Sequence, residues 1–502
     1  MSNPEIIAAY LASLEARIEA QELRDSDNGA RIDALIALCG HTEDDVIAMT
    51  FQMTPQQVAT AAVGEGGGDG GVVAAKAYST SGGIGLSGSA WHAVPMTAMQ
   101  NGGPSGAALT SGGLTVPSDG VYLVLAGVSA TPDSNNGRNT RARIVKNGSA
   151  IPGAEGWKTH YLDGSNRLDD HVLVEWIDAF TAGDVITVEA QSRASFDTTT
   201  TIAGSELTLV KLTGTGNAVA FRGGHINTSG GGSGTADIAF GSSGGTNDGV
   251  ADDDETECQV LADATLLVLG RTQTASQGSS PFAAGTVELY IETDTGAGRA
   301  EVAGTRVPGW LKAQSGSLGY GSQWQTSAIL TASAGDTVAI PYEYVGQQGY
   351  GDPQSRLLMA LADGDDADYL AVSMSARSVT ASSTWLTLPV DTVDHAASSA
   401  VTFDTGTGVA TIAESGLYMV LFMGRYDASI ASSGFLNREV RMQDDTSGSF
   451  TERGLSHAIG YGQPECSLHS LYVQRYAAGD KIRWQHLGGA VEAAHAWIVR
   501  LD

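Results

Sequence analysis

A chain of 502 residues, 42% of them hydrophobic, has room for three or four domains with cores of their own. Its 56 acidic residues outweigh 27 basic ones for a net charge of -29, and only 6 of the basic residues are Lys. Such a surface repels phosphate and excludes a nucleic-acid partner, while the lack of any apolar run of about 18 residues argues against membrane insertion. The acidity keeps the chain soluble, and it also suits a halophilic setting, where salt screens crowded carboxylates. Cys39, Cys258 and Cys466 are too scattered for a disulfide framework or a zinc site, so buried free thiols are expected.

Residues 1–63 read as a small α-helical N-terminal anchor. Ile7, Leu11, Leu14 and Ile18 follow alternating steps of four and three, and Ile32, Leu35 and Cys39 rejoin that register. Either a coiled coil with polar layers at Gln21, Asp25 and Asn28 or a helical hairpin breaking at 25–29 accounts for the pattern. In both cases the stripe Ile7, Leu11, Leu14, Ile18, Ile32 and Leu35 needs a partner, which makes it the oligomerisation candidate. Two short helices are expected next, capped at Thr42 and at Thr54-Pro55. No Lys or Arg lies between Arg31 and Lys76, so these are not a DNA-reading pair. Residues 64–72, Gly-Glu-Gly-Gly-Gly-Asp-Gly-Gly-Val, form a flexible linker.

The rest of the chain repeats one signature three times. Gly120-Val121-Tyr122 opens an apolar run, and Ala182-Gly183-Asp184 follows, with 62 positions from Tyr122 to Asp184. Gly416-Leu417-Tyr418 and Ala478-Gly479-Asp480 keep the same 62 positions. A weaker copy, Ala264-Thr265-Leu266 with Ala334-Gly335-Asp336, lies between them. Trp91 and Trp385 precede the first and third copies at similar distances. Alternating stretches such as Val185–Ala190 are half-buried strands. Eight or so short strands in each copy predict three antiparallel sandwiches at 73–215, 216–366 (divergent) and 367–502. Gly120 and Gly416 relieve a turn before a buried strand, Tyr122 and Tyr418 fill core while their hydroxyls reach an edge or an interface, and Asp184, Asp336 and Asp480 accept backbone N–H groups.

This signature resembles the C1q/TNF-like jelly roll over residues 73–502, best at Gly120, Tyr122, Gly183, Asp184, Gly416, Tyr418, Gly479 and Asp480. The middle copy departs at Ala264 and Leu266, and the usual Phe-Gly pair of the last strand is missing from all three. The resemblance implies a mainly β chain of three tandem jelly-roll sandwiches forming a compact trimeric head. Such a head binds partners at an outer surface or a subunit cleft and does not imply catalysis.

Searching for chemistry yields no catalytic set, no cofactor-binding motif and no metal motif. Gly241-Ser242-Ser243-Gly244-Gly245 matches a nucleophile elbow in letters only, because a Gly-Ser-rich loop surrounds it. The acidic stretches 248–255 and 363–366 offer oxygens for Ca²⁺ without EF-hand spacing, and a solvated charge run is the alternative. Trp310, Tyr320, Trp324, Tyr342, Tyr344 and Tyr350 lie in Gly-rich segments, where aromatics stack on sugars, anchor a protein partner or pack over the sandwich ends.

Helical anchor, Gly linker and binding-type sandwiches, with no export signal, together resemble the fibres, spikes and turrets of tailed viruses of bacteria or archaea. The resemblance implies a virion protein assembled in the host cytoplasm. Its N-terminal helices hold other virion proteins of the head or tail, and its sandwiches meet host-surface glycan or protein. A capsid decoration protein and a glycan-degrading enzyme are the alternatives. Self-association is expected as a homotrimer, with a pseudo-trimer inside one chain as the other arrangement.

Overall fold

The computed structural model describes strands and short turns between residues 73 and 501; residues 1–72 and the longer loops lie outside the described residues. The expected helical anchor and its stripe Ile7, Leu11, Leu14, Ile18, Ile32 and Leu35 therefore fall outside them. Gly71–Asp502 is one compact unit. It is mainly β, every described strand pair is antiparallel, and no described pair joins 73–211, 218–363 and 369–500 to one another.

Each of these three strand groups is built around one long apolar strand. In the first, Gly120–Pro132 pairs with Asp170–Phe180 on one side and Glu206–Lys211 on the other, and Val73–Tyr78 lies beyond Glu206–Lys211. Ala264–Ala275 takes the same place between Ser322–Ala332 and Tyr350–Asp363, with Ala218–Arg222 beyond. Gly416–Tyr426 lies between Cys466–Tyr476 and Val491–Arg500, with Tyr369–Ser373 beyond. The first strand of each group thus lies beside its last, and chain entry and exit are neighbours.

The second sheet of the first and third groups is also shared in order. Leu109–Thr110, Gly113–Thr115, Val185–Ser192, Arg138–Lys146 and Ser149–His160 correspond to Val401–Asp404, Val409–Ile412, Lys481–Gly488, Leu436–Asp445 and Thr451–Gly460. In the middle group this sheet divides into two parts. The divide falls where Ile340 leaves the ladder between Thr337–Ala339 and Pro341–Gly346, and Pro341 has no N–H to give.

The signature turns coincide. Gly183, Gly335 and Gly479 have φ of 91°, 99° and 96°, a region closed to most L-residues. Asp184 Oδ2 accepts the Thr181 N–H at 2.9 Å, Asp336 Oδ2 that of Ser333 at 2.8 Å, and Asp480 Oδ2 that of Ala477 at 2.7 Å. The next N–H is also held each time: Ala182 by Asp119, Ala334 by Asp263 and Ala478 by Ser415. Replacing Gly479 by Ala is expected to cost about 1–2 kcal/mol, read as a lowered urea midpoint, because the turn keeps its φ only with strain.

The tyrosines behave as the sequence suggested. Tyr122 and Tyr418 are fully buried, and their hydroxyls donate to the carbonyls four residues back, Ser118 at 2.8 Å and Glu414 at 2.6 Å. Leu266 fills the corresponding place without a hydroxyl. The repeated Trp also has a structural use. Trp91 stacks under Arg143 at 4.2 Å, and Trp385 stacks under Arg441 at 4.1 Å. Those arginines face Glu189 and Gln485 at matching register positions.

Burial explains why the long strands are uninterrupted apolar runs rather than alternating ones. In Gly416–Tyr426, Tyr418, Val420 and Phe422 enter the core of the third group. Their neighbours Leu417, Met419, Leu421 and Met423 join a second cluster shared with the first and second groups. A strand buried on both faces has no polar face to display. Cys258 is buried, as expected for that position.

Candidate functional site

The three groups touch one another pairwise. Between the first and second, Arg271 donates through Nη2 to the Gly153 carbonyl at 2.8 Å, and Gln325 donates to Glu175 Oε2 at 2.6 Å. Between the second and third, the Ser327 N–H reaches Met423 Sδ at 3.1 Å. His495 there lies against Gly304, leaving no room for a Cβ. Between the third and first, Lys76 lies 3.8 Å above the Tyr472 ring and pairs with Glu206 at 2.5 Å. His469 Nδ1 lies 3.5 Å from Glu175 Oε1. A hydrophobic cluster with members in all three groups surrounds these contacts.

Glu175, Arg271, Gln325 and His469 are therefore one polar cluster where the three groups meet. Their strands carry them there for apolar reasons: Val172, Val174, Trp176 and Ile177 flank Glu175, and Leu266–Leu269 precede Arg271. Burial pushes the Glu175 carboxyl up to about 7, against the pull of the Arg271 charge and the Gln325 hydrogen bond. It pushes Arg271 down to about 10 despite Glu175 and Glu155. His469 falls to about 4 by desolvation, so its imidazole is neutral near pH 7.

The outer surface is laced with ion pairs. Arg306 bridges Glu288 at 2.6 Å, Glu301 at 2.6 Å and Glu343 at 3.0 Å while lying 3.9 Å above Tyr290. Its hydrogen bond to Glu301 leads the effects that raise its pKa, and burial opposes them. With a net charge of -29, the melting temperature is expected to rise between about 0.1 and 1 M NaCl as carboxylate repulsion is screened. Differential scanning fluorimetry across salt checks this.

The aromatic candidates are distributed over the middle group. Tyr342 is 7% exposed and belongs to the shared hydrophobic cluster. Trp310, Trp324, Tyr344 and Tyr350 lie on the strands Val307–Leu311, Ser322–Ala332, Pro341–Gly346 and Tyr350–Asp363. Their side chains, and Tyr320 altogether, lie outside the described residues. Of the stretch 248–255, Ala251–Asp253 is a strand and the other residues lie outside the described set, as do 364–366. No group of His, Cys, Asp and Glu able to hold a metal ion occurs among the described residues. No helix among them is long and apolar enough to cross a membrane.

Sequence reading passed over Glu175, Arg271, Gln325 and His469. The signal available was a lone charge inside or at the end of an apolar strand, as in Val-Leu-Val-Glu-Trp-Ile, where a solvated position is not on offer.

The strand order, in several antiparallel sheets, is consistent with jelly-roll sandwiches. No protein-family profile and no curated protein matches it. Solved structures that it is similar to include Eiger TNF from S. frugiperda, at 18% identity and TM-score 0.23 over 28% of this chain and 93% of that one. Murine APRIL follows at 10% identity and TM-score 0.23, over 27% of this chain and 100% of that one. The globular domain of zebrafish complement 1qA gives 13% and 0.22, over 27% and 96%.

Proposed function

We propose that this chain is a virion structural protein, a fibre, spike or turret of a tailed virus. In this reading its N-terminal helices attach it to other virion proteins, and its C1q/TNF-like head contacts host-surface glycan or protein. The observation that carries the reading is how the sandwiches are packed. The long apolar strands turn toward one another inside a single chain, leaving the outer sheets, with their acid-rich ion pairs, as the surface offered to partners. A head built this way works by contact.

In this reading the three-way packing that separate chains would supply in a trimer is met within one chain. Homotrimer formation through the N-terminal heptad remains part of the proposal and concerns residues outside the described set.

Fluorescently labelled full chain incubated with intact bacterial and halophilic archaeal cells tests the reading, alongside gold-labelled antibody on tailed-virus particles. Retention on cells together with labelled particles supports it, and periodate treatment of the cells separates glycan from protein receptors. Labelled particles without cell retention favour the decoration reading. Unlabelled particles overturn both.

A further inference from the structure

We propose that the polar cluster makes the inner faces of the three groups selective for one another, so that the head closes from one copy of each group and excludes a ring of like groups. The argument rests on register. Gln325 and His469 sit on equivalent strands, opposite Arg271 and Met423. Both of those partners lie five positions after the signature site, at Leu266 and Tyr418. The first group has Leu173 opposite Gly127 at that level. Its own polar residue, Glu175, is opposite Leu125, at the level held by Ser327 and Leu471 in the other groups.

Three first groups in a ring would thus bring three glutamates together with no guanidinium. Three second groups would bring three buried arginines together with no carboxylate. Three guanidiniums in a low-dielectric interior are strongly disfavoured, and three glutamates there must take up protons to be accommodated. One group of each kind instead gives Glu175 the Gln325 amide at 2.6 Å and the His469 imidazole at 3.5 Å, with Arg271 opposite Gln325 on the adjoining strand and bonded to the Gly153 carbonyl.

The connections favour closure within one chain. Lys211 and Ala218 bound a join of six residues, and Asp363 and Tyr369 one of five. Such joins span about 20 Å at most when extended, which suits neighbouring sandwiches whose first and last strands are paired. The partner that each inner face fits is therefore the next group of the same polypeptide, not a second copy.

The test uses the full chain with its heptad disabled by Leu11→Asp and Leu14→Asp. Native mass spectrometry is expected to give one chain of about 51.6 kDa, with slow hydrogen exchange in Asp170–Phe180, Ser322–Ala332 and Cys466–Tyr476. A mass of two or more chains would overturn the proposal.

Glu175→Gln and Arg271→Met in this background are each expected to speed exchange in those strands at least ten-fold at pH 8. The double variant is expected to recover most of the protection, because neither charge is then left alone. Additive losses, or no change in the single variants, would show that the cluster does not select partners. If a single variant fails to fold, recovery in the double variant still decides the matter, and a double variant that also fails counts against the proposal.

Discussion

Arg271→Met is expected to destabilise the chain by about 1–2 kcal/mol more at pH 8 than at pH 5, because Glu175 left without the cation takes up a proton. At pH 8 the substitution strips Glu175 of the guanidinium that offsets its burial. At pH 5 that carboxyl, lifted by burial to about 7, already carries its proton and needs no cation. The groups around it come from every side: Arg271 and Gln325 from the second group, His469 from the third, and Glu155 from the first acting on Arg271.

Two opposed linkages set the wild-type pH profile. Between about 4.5 and 7 the folded chain holds a proton on Glu175 that the unfolded chain has lost, so this group's contribution falls as pH rises through that window. His469 does the reverse. Its folded value near 4 lies below the ordinary 6.5, so its contribution grows as pH rises from 4 to 6.5. The two cancel over most of the shared range. His469→Asn removes the His469 slope, and stability should decline relative to wild type by about 3 kcal/mol from pH 4.5 to 7. Urea denaturation at fixed pH steps measures each of these differences.

Adjacent substitutions on one strand should separate the two cores. Leu421→Ala removes a side chain from the cluster shared by all three groups, at a cost of about 2–5 kcal/mol. Phe422→Ala, one residue on, empties a site inside the third group that is stacked on Trp484, at about 3–5 kcal/mol. Similar losses in the urea midpoint should hide different local effects. Hydrogen exchange should speed up in Asp170–Phe180 and Ser322–Ala332 for Leu421→Ala, and mainly in Lys481–Gly488 for Phe422→Ala. An identical exchange pattern in the two variants would mean that the strand does not serve two cores.

Much of this architecture was legible in the residues. Ala-Gly-Asp placed a carboxylate where it accepts backbone N–H groups, and all three copies do so. The tyrosine after Gly120 and Gly416 could be read as core with a tethered hydroxyl because burial of a phenol requires a partner. The apolar runs were legible as buried strands. What they left open was whether their second face meets a neighbouring sandwich of the same chain or a different molecule, since both leave the same pattern.

The meeting point was not legible, because Glu175, Arg271, Gln325 and His469 lie up to 294 positions apart and converge only after three sandwiches have formed. Tyr342 shows the converse. In sequence it belongs to an aromatic, Gly-rich stretch that reads as a ligand surface, yet it lies on a strand whose inward side takes it into the shared cluster.

A density map of the isolated full-length protein, sharp enough to trace strands, tests the central claim most directly. It should show three β sandwiches traced along one polypeptide, each contacting the other two, with Glu175, Gln325 and His469 at their junction. Three sandwiches strung out separately, or each contacting its counterpart in other chains, would contradict it.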